Sequence, residues 1–385
     1  MKKTIYLDNA ATTFPKPDVV YDAVDYINRN LAVNSGRGSY SLSRKASKII
    51  NETREEVANL VGVENSNKVI FTSSATAAIN QILNGINFEN INNIYVSPFE
   101  HNAIMRTLHQ LKKKVGFNIN IIPFNPETLE LDKKKLKIMI ANEQADMILI
   151  SHVSNVTGLI LPIKEIFEIS KNDSTITLID ASQSLGVVPI DFKNYDFLVF
   201  AGHKTLYGPF GIAGFIKNTN VELNSVLVGG TGSDSTNLEM PSEMPYKYEA
   251  GSYNIQAISG LREAIRWIKS NEIDKVFDRE KKLTKLLVNE LSDIEEIKLY
   301  IPKDEENHIG IVSLTIEGFD ATEFADILDD EFDIAVRAGH HCAPLIGEFL
   351  GGQAQEGVLR ISLGYFNTEN DIATLKDAII DIVRG

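Results

Sequence analysis

Residues 197–216 read FLVFAGHKTLYGPFGIAGFI. Two apolar runs, 197–200 and 211–216, bracket a turn that carries His203 and Lys204, with glycines at 208, 211 and 214. An apolar run without polar alternation suits a strand buried on both faces of a sheet. The same unit recurs outward along the chain, at 68–71 (KVIF), 93–96 (NIYV), 146–150 (DMILI) and 175–179 (TITLI). Helical patterns lie between the runs, at 18–30, 42–62 and 77–85. Strands alternating with helices predict an α/β domain with a mostly parallel sheet. Ligands of such sheets bind beyond the carboxyl ends of the strands, so chemistry is to be sought in the turns.

From about residue 261 the texture changes. A long charged helical stretch, 261–291, is followed by strand-like pieces at 310–316 (GIVSLTI) and 358–363 (VLRISL), with a helix expected over 322–330. We read a large domain over 16–262, and a smaller α+β domain made of 1–15 and 263–385. The Gly-, Ser- and Pro-rich segment 229–251 reads as an ordered functional loop.

The chain has 385 residues, 43% hydrophobic and 23% charged, with formal net charge −14. It can bury a full core without staples. The acidic balance argues against nucleic acid or an anionic membrane as the bulk partner. The single cysteine, Cys342, excludes an internal disulfide framework and any multi-cysteine metal cluster, and no metal is expected. The first residues, MKKTIYLDNAATTF, hold no apolar export core, and no apolar run is long enough to span a bilayer. A soluble cytoplasmic protein is expected.

Several turns could carry chemistry, and each has a plainer reading. Lys204, closely following a strand, could approach a planar ligand through its glycines, or be a solvated lysine. Asp180 closes the run 175–179, where a carboxylate could hold a ring nitrogen protonated, with Gln183 beside it for a ring oxygen; an Asp there also caps helices. Thr72–Thr76 (TSSAT) could cradle an anion at a helix start or simply cap it. His101 could stack on an aromatic ligand or move protons, and Asn155 could bond a ligand oxygen. Cys342, in 337–345 (RAGHHCAPL), has Arg337 and two histidines nearby; positive charge favours a nucleophilic thiolate, whereas a buried cysteine would be inert. Taken jointly on successive strand ends, a phosphate cradle, a stacking histidine, a ring-nitrogen carboxylate and an imine-forming lysine describe a pyridoxal phosphate site.

The ordered set YLDNAATT (6–13), EHNA (100–103), HVSNVTG (152–158), DASQS (180–184), GHKTLYGPFG (202–211), EAGS (249–252) and RAGHHCAPL (337–345) resembles the class V aminotransferase-fold enzymes. It is most similar to the cysteine desulfurases of the second group, SufS-like and selenocysteine lyase-like, over residues 4–370. The resemblance implies a fold-type I transferase with a seven-stranded large-domain sheet, pyridoxal 5'-phosphate, and a homodimer.

It also implies roles. Lys204 would bond the cofactor's aldehyde, His203 and Thr76 would bind its phosphate, and Ser252 would reach the phosphate of the second subunit's cofactor. Asp180 would meet the pyridine nitrogen, Gln183 the ring hydroxyl, and His101 the ring face. Asn155 and Arg360 would hold the substrate carboxylate, with Arg37 and Arg337 also at the substrate site. Cys342 would accept sulfur from L-cysteine as a persulfide, for delivery to an acceptor protein. Selenocysteine lyase or cysteine sulfinate desulfinase activity, or a class V aminotransferase or lyase without thiol chemistry, are the alternatives. The chain departs from the pattern at Ala201, Ser252, Tyr253 and Gly36, where the family often has Ser, Thr, Pro and His, and in a shorter 229–251 loop.

Overall fold

The computed structural model describes residues 4–384 except 36, 37, 39, 191, 193 and 233–235. Arg37 and Gly36 therefore lie outside the described residues. The strands, in chain order, are β1 (Ile5–Tyr6), β2 (Val69–Thr72), β3 (Asn93–Val96), β4 (Asn118–Ile121), β5 (Met147–Ser151), β6 (Ile176–Asp180), β7 (Phe197–Ala201), β8 (Ala213–Lys217), β9 (Ile297–Tyr300), β10 (Ile311–Ile316), β11 (Ile334–Ala335), β12 (Arg337–Gly339) and β13 (Val358–Ser362).

Seven of them form the central sheet, ordered β2-β8-β7-β6-β5-β3-β4. The pairs within β7-β6-β5-β3-β4 are parallel, and β8 runs antiparallel between β2 and β7. The apolar runs are continuous because both faces are covered. In β7, Leu198 and Phe200 pack with Ile258, Leu261 and Ile265 of the helix Ile255–Ser270, whereas Phe197 and Val199 pack with Ile79 and Leu108 of the helices Ala75–Gly85 and Asn102–Val115. Alternate residues thus feed opposite cores, as the period-two pleat requires. Each such side chain contributes roughly 1.5–3 kcal/mol on burial.

A second sheet, β12-β13-β10-β9, is antiparallel throughout. It shares a core with the helices Ile273–Ser292, Ala321–Phe332 and Glu369–Arg384, and Leu7 of the N-terminal arm belongs to the same core. The arm reaches it through the parallel pair β1-β11. Among the described residues, no helix is long and apolar enough to cross a membrane.

Three expectations need correction. The helical stretch 261–291 is two helices, Ile255–Ser270 and Ile273–Ser292. Glu272, between them, takes a φ of 58°, and a left-handed residue cannot continue a right-handed helix. The run 211–216 becomes a strand only from Ala213, because Gly211 (φ 82°) still belongs to the turn. The glycines after Lys204 serve packing rather than ligand approach. A Cβ at Gly214 would lie 2.2 Å from the Ile70 carbonyl oxygen, and one at Gly208 would lie 2.8 Å from that of Gly202. Strand β4 was not legible, since its sequence NINI is half polar and it lies at the sheet edge, only partly buried.

Candidate active site

The carboxyl ends of β2, β7, β6, β5 and β3 open onto one cavity of about 240 Å³. Its walls hold Thr76, His101, Asn155, Asp180, Gln183, His203 and Lys204 from the large-sheet side. Arg337, Cys342 and Arg360 come from β12, β13 and the turn between them, and Ala10 and Ala11 from the N-terminal arm. Residues far apart in sequence meet because parallel strands of one sheet all end on the same edge.

Lys204 is partly buried, and burial lowers its pKa to about 8; Asp180 nearby works in the opposite direction, and Arg360 and Arg337 add to the lowering. A buried amine without a full counter-charge sheds its proton readily. Asp180, the last residue of β6, accepts the Ser182 N–H at Oδ1 (2.9 Å). It therefore secures its own turn while lining the cavity; the turn opens no helix, so the helix-cap reading does not hold. Gln183 donates through Nε2 to the Ala10 carbonyl (2.8 Å).

His101 is the N-cap of the helix Asn102–Val115, and its Nδ1 accepts the Ala103 N–H (3.0 Å). Burial and then the charge of Lys204 lower its pKa to about 4, so the ring is neutral. With Nδ1 an acceptor, the ring proton sits on Nε2. His203 is likewise lowered to about 4 by burial and by Lys204. Its ring stacks on Phe210 (centroids 4.6 Å apart), and its Nδ1 is buried without a hydrogen-bond partner. Thr76 is the second residue of the helix Ala75–Gly85, which starts two residues before the expected 77, and Ser74 caps that helix through the Ala77 N–H (3.1 Å).

Cys342 is exposed at the mouth. The Arg337 Nη2 lies 3.8 Å from its Sγ as a hydrogen-bond donor. His341 and Cys342 both sit in the left-handed region, at φ 50° and 60°. That conformation costs a non-glycine residue roughly 1–3 kcal/mol and persists only where surroundings enforce it. Here three contacts do so. Asn102 N–H donates to the Cys342 carbonyl (2.6 Å), Asn155 Nδ2 donates to the His341 carbonyl (2.6 Å), and His341 Nε2 donates to the Val358 carbonyl (2.9 Å). The Asn155 amide, expected on a ligand oxygen, thus spends an N–H on the cysteine turn while still lining the cavity.

Arg360 is 1% exposed. Its Nη1 donates to the Asn155 carbonyl (3.0 Å), its Nη2 pairs with Asp8 Oδ1, and its Nε is buried without a partner. Ser252 stands apart. It is exposed and lines a separate cavity of about 420 Å³, with Thr72, Ser73, Gly211 and Tyr253.

Two site components were not legible in the sequence. The arm segment 6–13 stands in the sequence as a motif without roles, yet its Thr12 and Thr13, with Lys16 just beyond it, brace the lysine turn. Thr12 Oγ1 donates to the His203 carbonyl (2.8 Å), Thr13 Oγ1 to the Lys204 carbonyl (3.1 Å) and Lys16 Nζ to the His203 carbonyl (3.2 Å). Its only local signal was a run of small and hydroxyl residues. The other is a buried carboxylate, Glu249. It accepts both Arg54 nitrogens (2.8 and 2.9 Å), the Phe71 N–H (2.6 Å) and the Tyr253 hydroxyl (2.5 Å). It ties the strand leading to the Thr76 helix to the loop that carries Ser252.

Lys204, of lowered proton affinity, Asp180 and the neutral His101 line the same cavity, a set compatible with an aromatic aldehyde. A helix N-terminus with hydroxyls and the orphaned His203 Nδ1 stand ready for an anion. The residues present therefore fit pyridoxal 5'-phosphate. Residues 5–375 match the aminotransferase class-V family, and the chain belongs to it.

Within that family its relatives are described as desulfurases. A probable cysteine desulfurase of Halalkalibacterium halodurans is 32% identical, covering 96% of this chain and 91% of the relative. One from Methanothermobacter thermautotrophicus is 30% identical, covering 99% and 95%. The apo structure of the cysteine desulfurase from Thermococcus onnurineus NA1 superposes with a TM-score of 0.92 at 30% identity, over 99% of this chain and 95% of that one.

Proposed function

We propose that the protein is a cysteine desulfurase that uses pyridoxal 5'-phosphate to move sulfur from L-cysteine onto Cys342, leaving L-alanine. The observation that carries this reading is a single cavity with an amine of lowered pKa, Lys204, on its wall and the chain's only cysteine at its mouth, within reach of Arg337.

Lys204 would bond the cofactor's aldehyde, Asp180 its ring nitrogen and Gln183 its ring hydroxyl. His101 would cover the ring face, and Thr76 and His203 would hold the phosphate. When bound, the cofactor supplies an electron sink for negative charge at the substrate's α-carbon. Arg360 would hold the substrate carboxylate, with Arg337 and Arg37 also assigned to the substrate. Lys204, once freed by the incoming amine, would take the α-proton; its lowered pKa suits a base working near neutrality. Cys342 then forms a sulfur–sulfur bond as the substrate's carbon–sulfur bond breaks and that carbon gains a proton. The sum is L-cysteine plus thiol giving L-alanine plus persulfide. The left-handed turn holds the thiol at the mouth, where a second thiol can collect the sulfur. We assign the chain to the SufS-like group on its RAGHHCAPL motif.

We further propose a homodimer. Ser252, exposed on the far side of the Glu249 clamp, would complete the second subunit's phosphate site. Exposed Val226 and Leu227 line the same cavity, and Val228 follows them, so apolar surface is available for a partner copy.

The test is anaerobic incubation with L-cysteine, measuring alanine and, with reductant, sulfide. Equal yields are expected, and Cys342→Ser should abolish both. Full turnover by that variant would refute the persulfide step. Running L-selenocysteine and cysteine sulfinate beside L-cysteine identifies the preferred substrate.

A further inference from the structure

The guanidinium of Arg360, on the cavity wall, already has an anionic partner, Asp8, at its Nη2. Arg360 presents five N–H donors. One nitrogen, Nη1, is committed to a backbone carbonyl, Nη2 pairs with Asp8, and Nε is buried and unpartnered. Bidentate capture of a carboxylate uses two adjacent nitrogens of the fork. Each Nη carries two N–H groups and one contact is recorded at each, to the Asn155 carbonyl and to Asp8 Oδ1, so a carboxylate seated in the fork would compete with Asp8 at Nη2.

Asp8 is less committed than Arg360. Only its Oδ1 pairs with the guanidinium, and its side chain is 19% exposed against 1% for the arginine. It sits in the arm, bridged to Ser362 of β13 by backbone only. Of the pair, the carboxylate is the member with access to water.

We propose that Asp8 is a displaceable counter-ion. It neutralises buried Arg360 before an amino acid arrives and yields Nη2 to the incoming carboxylate. Asp8 is therefore a specificity-determining residue: it sets the affinity threshold that a ligand's carboxylate has to exceed. A buried cation left without any anion is costly, which accounts for the Asp8 partner. Two carboxylates sharing one guanidinium repel strongly at such separations, which accounts for the exchange. The inference rests on Arg360 being the carboxylate site.

The experiment is calorimetric titration of the holoenzyme with L-alanine and with L-alanine methyl ester, which carries the amine but no anionic carboxylate. Asp8→Asn keeps the shape and an acceptor oxygen while removing the charge. It should tighten L-alanine about tenfold or more, leave the ester unchanged, and lower KM for L-cysteine without raising kcat. Unchanged or weaker L-alanine binding, or an equal gain for the ester, would overturn the proposal and make Asp8 a structural clamp. Asp8→Ser removes the same charge with a smaller side chain and serves if Asp8→Asn does not fold. Arg360→Gln is the separate control. If it leaves L-alanine binding intact, the carboxylate assignment to Arg360 fails, and the counter-ion role fails for that reason instead.

Discussion

Glu249→Ala is the perturbation whose cost the structure specifies best. The carboxylate is 3% exposed and its partner Arg54 4% exposed. Removing it strips Arg54 of both charge-assisted bonds and leaves the Phe71 N–H and the Tyr253 hydroxyl without their acceptor. Breaking a buried pair from one side costs about 3–5 kcal/mol, because the surviving charge stays in a low-dielectric site. For 385 residues the unfolding entropy is about 0.8 kcal/mol/K, so the melting temperature should fall by about 4–6 °C. The double variant Arg54→Met, Glu249→Met removes both charges at once. It should be less destabilised than Glu249→Ala alone, despite losing more hydrogen bonds. The assay is thermal unfolding of both variants and the parent at pH 7, with cofactor retention after dialysis measured alongside, since the clamp joins the Thr76 and Ser252 segments. A loss below about 1 kcal/mol in the single variant, or a double variant at least as unstable, would refute the argument that an unpaired buried cation sets the cost.

Other expectations follow from the same geometry. Lys204→Met should stabilise the cofactor-free protein at pH 7 by up to about 3 kcal/mol. The lysine's folded pKa is about 8 against an ordinary 10.5, so the unfolded chain binds more protons between those values. The penalty is full below pH 8 and gone above pH 10.5, and urea unfolding at pH 7, 9 and 10.5 should show the difference closing. The same variant should not retain a borohydride-fixable cofactor. His101→Asn keeps a favoured N-cap residue and should change stability by less than about 1 kcal/mol, while turnover falls by about 10²–10⁴; unchanged turnover would make the histidine a cap only. Cys342→Ser should keep the cofactor's absorbance and lose alanine formation from L-cysteine.

The local sequence determined much of this protein. Runs such as 146–150 and 175–179 could be read as strands because a strand covered on both faces has no polar alternation to obscure it. Asp180, His101 and Lys204 could be placed at strand ends because a strand ends where its apolar run ends. Only tertiary structure decided what those residues touch. Asp8 and Arg360 are 352 positions apart, Glu249 and Arg54 are 195, and Thr12 and His203 are 191. No periodicity or propensity links residues at such separations, since both describe a chain only over a few turns or pleats. Whether a carboxylate braces a loop or waits as a counter-ion depends on which distant partner the fold delivers to it. That delivery is made by the packing of two sheets and an arm around one cavity.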